Sequence, residues 1–130
     1  MPDPQKPGAV LFAKDIARVA KFYAGVVPMT VALEGPDLIV LESAQSQLVV
    51  HPIPAKIAES IEITDPPALR TDVAVKLIFP VASLAEARAV APALGGALNP
   101  PGKEFAARGF RACDGHDPEG NVVQLRESAS

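Results

Sequence analysis

The sequence predicts an α+β fold in which one unit, β-α-β-β-β, is used twice. Three observations carry this reading. Two segments read as strand then helix, and aligning Asp15 with Ser83 superposes them at an offset of 68 residues. Each helix is followed by several short runs of strand character. A proline-rich stretch, 52–72, separates the halves. An internal repeat over about half the length is the mark of one supersecondary unit used twice.

The first strand spans Ala9 to Ala13. A helix follows, with Asp15 as N-cap, Ile16, Val19, Ala20 and Tyr23 on one face, and Gly25 placed to close it. Runs at Met29–Glu34, Leu38–Glu42 and Gln47–His51 supply three more strands, with Gly35-Pro36-Asp37 as the turn between the first two. In the second half, Val73 to Phe79 reads as a strand. Ser83 and Glu86 then have the spacing of a capping box, and Leu84, Ala87, Ala91 and Leu94 form the apolar stripe. Pro92 should end or kink that helix near Ala91. The remaining strands are Gly109–Asp114, Asn121–Arg126 and a weaker one at Ala97-Leu98. Module one thus covers about 8–52, a linker about 53–72, and module two about 73–126, within a single domain over 1–130.

The composition sets bounds. The chain has 130 residues, 48% hydrophobic and 21% charged, which suits one globular domain with a real core. A net charge of −3 without a basic cluster argues against a nucleic-acid partner. No apolar run is long enough to span a bilayer, and the polar, proline-rich start lacks a signal-peptide core. The single cysteine, Cys113, excludes an internal disulfide and fits a reducing cytoplasm; in an apolar strand it reads as a small buried hydrophobe.

Two local motifs narrow the fold. Asp15-Ile16 through Phe22-Tyr23 is an acidic N-cap before a helix ending in Phe-Tyr. Asp117-Pro118-Glu119-Gly120-Asn121 is a turn that leads into the apolar Val122-Val123-Gln124-Leu125, with Gly120 or Asn121 able to take positive φ. Together with the repeat, these features resemble the vicinal-oxygen-chelate superfamily of glyoxalases, bleomycin resistance proteins and extradiol dioxygenases. The resemblance covers roughly Gly8 to Arg126. It implies cupped, mostly antiparallel sheets with the helices on the outer face. In metal-dependent relatives, His and Glu side chains from four strands hold one divalent ion that activates adjacent substrate oxygens. Bleomycin-resistance-type relatives bind small molecules without the ion.

Carried onto this chain, the resemblance puts the four ligand slots at Gly8, Val49, Lys76 and Gln124. Val49 depends on alternation, with Leu48 and Val50 packing under the helix and Gln47, Val49 and His51 on the cupped face. Gly and Val cannot ligate, Lys does so only as a neutral amine, and Gln only weakly. The expectation is a metal-free cup, with a divalent ion held by misregistered ligands as the alternative. Its lining would include Phe12, Val49, Ile78 and Val10, with Lys76, Gln124 and His51 as convergent polar groups, while Val75, Leu77 and Phe79 pack inward. Lys76 is either a charge anchor for an anionic ligand or the structural partner of a carboxylate such as Glu42. His51 reads as a rim residue, His116 as a local hydrogen-bonder, and Arg108 and Arg111 as pocket-mouth or surface cations. No catalytic residue is assigned. The functions that follow are binding, with or without transformation, of a small anionic and apolar molecule; a metal-dependent lyase, isomerase or dioxygenase; or a non-catalytic structural module. Exposed sheet edges point to a homodimer.

Overall fold

The computed structural model describes residues 2–129. Module one opens with β1 (Gly8–Ala13), followed by α1 (Ile16–Val26). Asp15 is extended, and its side chain accepts the Arg18 amide at 3.1 Å, satisfying a donor that the helix cannot. Val19, Ala20, Phe22, Tyr23 and Val26 are buried, a three–four spacing that turns one face of the helix onto the sheet. Gly25 does not end the helix, which runs on to Val26 with Val27 as its C-cap.

The next strands are β2 (Thr30–Glu34), β3 (Ile39–Glu42) and β4 (Gln47–Pro52). The sheet order is β1-β4-β3-β2, with only the β1–β4 pair parallel. The expected turn after Glu34 forms, closed by the Gly35 amide on the Leu38 carbonyl at 2.9 Å. The linker is not featureless. It holds a single helical turn, α2 (Ala55–Ala58), and a one-residue bridge from Arg70 to Asn121.

Module two comprises β5 (Leu77–Pro80), α3 (Leu84–Val90), β6 (Ala97–Leu98), β7 (Phe105–Ala107), β8 (Phe110–His116) and β9 (Val122–Ser128). Ser83 caps α3 by accepting the Glu86 amide, and Pro92 turns the chain into a 3-10 segment, Ala91–Leu94. The sheet order is β5-β9-β8-β6, again with one parallel pair, β5–β9.

One expectation needs correction here, and one strand comes in addition to those expected. The strand expected from Val73 begins only at Leu77. In its register Leu77 pairs with Val123, and β9 itself starts at Val122, so residues before Lys76 have no partner strand to follow. Val73 and Val75 are therefore exposed, at 59% and 69%, and Val75 does not pack inward. The weaker strand expected at Ala97-Leu98 forms as β6, and an unexpected strand, β7, lies further along the same side of β8. β6 pairs with the end of β8 and β7 with its start. Pro100 and Pro101 lie between them and can donate no ladder bond, so the pairing with β8 is interrupted there.

One buried cluster joins both modules: Val19, Phe22, Tyr23, Leu41, Leu48 and Val50 from the first with Phe79, Leu84, Cys113, Val123 and Leu125 from the second. The Tyr23 and Phe79 rings meet at 5.3 Å between centroids, and α1 packs on α3. Each fully buried Leu or Val in such a cluster contributes about 1.5–3 kcal/mol relative to exposure.

Candidate functional site

The two sequence motifs turn out to be partners. Asp117 is fully buried, and its carboxylate accepts the amides of Glu119 and Asn121, the Asn121 side-chain amide and the Tyr23 hydroxyl, the last at 2.8 Å. Glu119, also buried, accepts the amides of Lys14 at 2.8 Å and Asp15 at 2.7 Å. The turn after β8 thus clamps the corner between β1 and α1. Burial, reinforced by the Asp117 carboxylate, pushes the Tyr23 hydroxyl well above its ordinary pKa. At Gly120, φ is +84° and an added Cβ would lie 2.0 Å from the Ala68 carbonyl oxygen, so only glycine fits the turn. These residues set the frame and face the core.

The candidate site lies on the opposite face of the sheets. Alternation holds as expected on β4, where Leu48 and Val50 are buried under α1 and Val49 and His51 face away, and on β9, where Val123 and Leu125 are buried. The helix-free face exposes large apolar groups: Val10 56%, Phe12 51% and Ile78 50%. Phe12 and His51 are neighbours in the β1–β4 register, with ring centroids 5.3 Å apart. His51 Nδ1 lies 2.9 Å from the Pro52 carbonyl and the ring is exposed, a rim position. His116 pairs locally, Nδ1 to the Asp117 carbonyl at 3.0 Å.

The strand registers relate two of the four expected slots. Val10 pairs with Val49 in module one and Ile78 with Gln124 in module two, which makes Val49 and Gln124 equivalent positions. Gly8 cannot be a donor position at all, because an added Cβ would stand 1.9 Å from the Gln47 carbonyl oxygen. Among the described residues no group of three or more His, Cys, Asp or Glu could hold a metal ion. The donor set does not fit the ion that metal-dependent relatives carry.

Lys76 is not free. Its Nζ donates to Asp114 Oδ2 at 2.7 Å, while the expected partner, Glu42, accepts the Asp3 amide and forms an ion pair with Lys6 at 3.6 Å. Asp114 lies opposite Gln124 in the β8–β9 register, and its Oδ1 is buried without a partner. Asp114 is the residue that sequence reasoning missed; counting back along β8 from the Asp117 turn would have placed it on the face of Gln124. Gln124 Oε1 accepts the Arg126 Nε–H at 2.7 Å, and the Arg126 guanidinium lies 4.1 Å from the centroid of the Phe110 ring. Arg111 does not reach the face, since it pairs with Glu104, which also takes Arg88.

Two adjoining cavities flank the segment 70–76, the first of them also reaching β1. One, about 320 Å³, is walled by Val10, Leu11, Val75, Leu77 and Val122. The other, about 270 Å³, includes Lys76, Asp114 and Val122. The structure therefore brings Lys76 to a cavity, pairs Ile78 with Gln124, and sets Phe12, Val49 and His51 on the first sheet. A larger concavity, about 450 Å³, lies on the helix side near Arg18, Lys21 and Asp65. Those three side chains are exposed surface charges, so the helix-free face is the better candidate.

No protein-family model matches the sequence, and no curated protein does. Solved structures do match. A glyoxalase/bleomycin resistance protein/dioxygenase family enzyme from Burkholderia phytofirmans PsJN is 19% identical, with 93% of this chain and 96% of that one covered and a TM-score of 0.67. A glyoxalase/bleomycin resistance protein from Albidiferax ferrireducens T118 is 18% identical over the same shares, at a TM-score of 0.65. Lactoylglutathione lyase from Agrobacterium tumefaciens is 19% identical, with 98% and 96% covered and a TM-score of 0.58. Likeness at these identities speaks to architecture. The chain carries the paired βαβββ fold of the vicinal-oxygen-chelate superfamily.

Proposed function

We propose that this protein binds, and in doing so can present for reaction, a small molecule with an apolar body on the helix-free face of its sheets, without a metal ion. The observation that carries the reading is the composition of that face. The helix-free face offers exposed Val10, Phe12 and Ile78 together with a few polar groups: Gln124 and Asp114, set opposite each other by strand register, and Lys76, paired with Asp114. Apolar walls with few placed polar groups are how small-molecule sites are built. The metal-free part rests on the donor set, Gly8, Val49, Lys76 and Gln124. The same exposed apolar groups favour a homodimer, in which a second copy covers part of the face. Among the described residues no helix is long and apolar enough to cross a membrane, and the buried free thiol of Cys113 fits a reducing cytoplasm.

The test is an amide NMR titration of purified protein with a panel of small aromatic and aliphatic compounds. Saturable shifts confined to β1, β4, β5 and β9 are expected. A panel that moves nothing there would sink the reading. Elemental analysis after dialysis should find no stoichiometric transition metal; about one zinc, nickel, iron or manganese per chain would restore the metal-dependent lyase, isomerase or dioxygenase reading.

A further inference from the structure

We infer that Arg126 is the residue that selects the ligand's charge, and that the ligand class is a carboxylate, or a similar planar anion, carried on an apolar body. This inference rests on the reading of the helix-free face as a binding site. Lys76 cannot supply that selectivity, since its ammonium is already closed on Asp114 and the pair is neutral taken together. Arg126 is in a different state. It lies on β9 two residues beyond Gln124, on the same face and half-buried. Its guanidinium lies over the Phe110 ring at 4.1 Å, and its Nε–H is spent on Gln124 Oε1. A guanidinium has five N–H donors in a rigid plane. Here one donor and one face are used to fix the plane, which leaves the Nη edge as an oriented fork of the kind that binds carboxylates bidentately.

Its charge enters no ion pair among the described residues. Among the described residues the ion pairs join Lys6 with Glu42, Lys76 with Asp114, and Glu104 with Arg88 and Arg111, and none includes Arg126. A second guanidinium, Arg108, lies 5.2 Å from the same Phe110 ring and is likewise outside every ion pair. Two cations share one aromatic ring, and among the described residues neither is in an ion pair. Gln124 adds to the demand, since its oxygen is taken by Arg126 and its amide N–H groups remain as donors beside the fork. Across the β5–β9 pair, Ile78 is the register partner of Gln124 and Pro80 of Arg126, which supplies an apolar floor next to the charge. On the other side of Arg126 stands Ala112, whose small side chain leaves the fork unobstructed by a bulky neighbour in that row.

The experiment uses two matched probe pairs, hexanoate with hexanamide and benzoate with benzamide, titrated into the intact protein. Affinities come from amide NMR, and the Arg126 Nε–H resonance is followed in the same spectra. The carboxylates are expected to bind at least about tenfold more tightly than their amides and to shift the Arg126 Nε–H. Arg126→Lys, which keeps the charge and loses the fork, should remove most of that advantage while leaving the amides unchanged. Gln124→Met should weaken the carboxylates in the same selective way, with a moved Arg126 Nε–H in the free protein. Circular dichroism and the Tyr23 absorbance establish that each variant is folded. If amides bind and carboxylates bind no better, or if the carboxylate advantage survives both Arg126→Lys and Arg126→Gln, this inference is wrong and the binding face stands. If neither probe class binds the wild-type face, the binding reading itself falls and takes this inference with it.

Discussion

Tyr23 is the one tyrosine of the chain, and there is no tryptophan, so a single hydroxyl carries the near-ultraviolet signal of a buried contact. That hydroxyl donates to Asp117, and its pKa is raised first by burial and then by the Asp117 carboxylate. A group whose folded pKa lies above its unfolded value adds stability that is complete below the unfolded value. That stability is lost as pH rises through the folded one. Stability should therefore fall above about pH 10, the ordinary tyrosine value, and Tyr23→Phe should abolish that part of the fall. In an absorbance titration the tyrosinate signal comes from Tyr23 alone. Ionisation near pH 10 in the folded protein, the value of a free tyrosine, would contradict the contact. At neutral pH, Tyr23→Phe should cost about 1.5–3 kcal/mol in urea unfolding, the range for a hydrogen bond to a charged group. At this scale the sequence was partly legible. The Asp15 and Ser83 caps, and the outward faces of Val49 and Gln124, follow from local spacing and alternation. The Lys76–Asp114 pair does not, because it joins residues 38 apart, one just ahead of β5 and one on β8, whose meeting depends on the tertiary fold.

The clamp between the turn after β8 and the β1–α1 corner is a property of elements. Glu119 reaches across 105 positions to Lys14 and 104 to Asp15, and no periodicity in the sequence records that distance. The Asp-Pro-Glu-Gly-Asn turn was visible, and so was the acidic cap before the Phe-Tyr helix; their contact was not. The same reasoning explains the strands. Where a strand packs on one face only, as β4 and β9 do, alternation marks it. Where pairing decides, as at Val73–Lys76, apolar character misleads, because a residue is in a strand only if a partner backbone lies beside it. The clamp carries its own prediction. Glu119→Ala leaves two corner amides without an acceptor in a buried setting and should destabilise by at least about 1.5 kcal/mol, whereas Glu119→Gln, which keeps an acceptor oxygen, should cost less. Urea midpoints for the two variants decide it, and equal losses would mean that the carboxylate is not what holds the corner. Gly120→Ala should also destabilise, by about 1–3 kcal/mol for the positive φ alone, with the Ala68 collision added.

At the scale of the whole chain, the apolar surface is out of balance with a lone monomer. Val10, Phe12 and Ile78 on the helix-free face are half exposed or more, and Val31 and Leu33 on β2 are exposed at 44% and 42%. β2 is an edge strand, so its outer backbone groups also lack a ladder. Single exposed apolar residues are ordinary, but a strand edge with two of them beside unpaired amides and carbonyls is a surface that natural proteins cover. A register irregularity between Val31 and Leu33 bends that edge without removing its apolar character. An isologous dimer is the commonest closed solution. Sedimentation equilibrium at micromolar concentration should give twice the 13.5 kDa chain mass. Replacing Val31 and Leu33 together with lysine should move the protein toward the monomer with its circular dichroism unchanged, since neither side chain belongs to the buried core. A wild-type protein that stays monomeric through that range would show that the edge is tolerated bare. A double variant that remains dimeric would move the interface from β2 to the faces around Phe12 and Ile78, where dimerisation and ligand binding would compete for one surface.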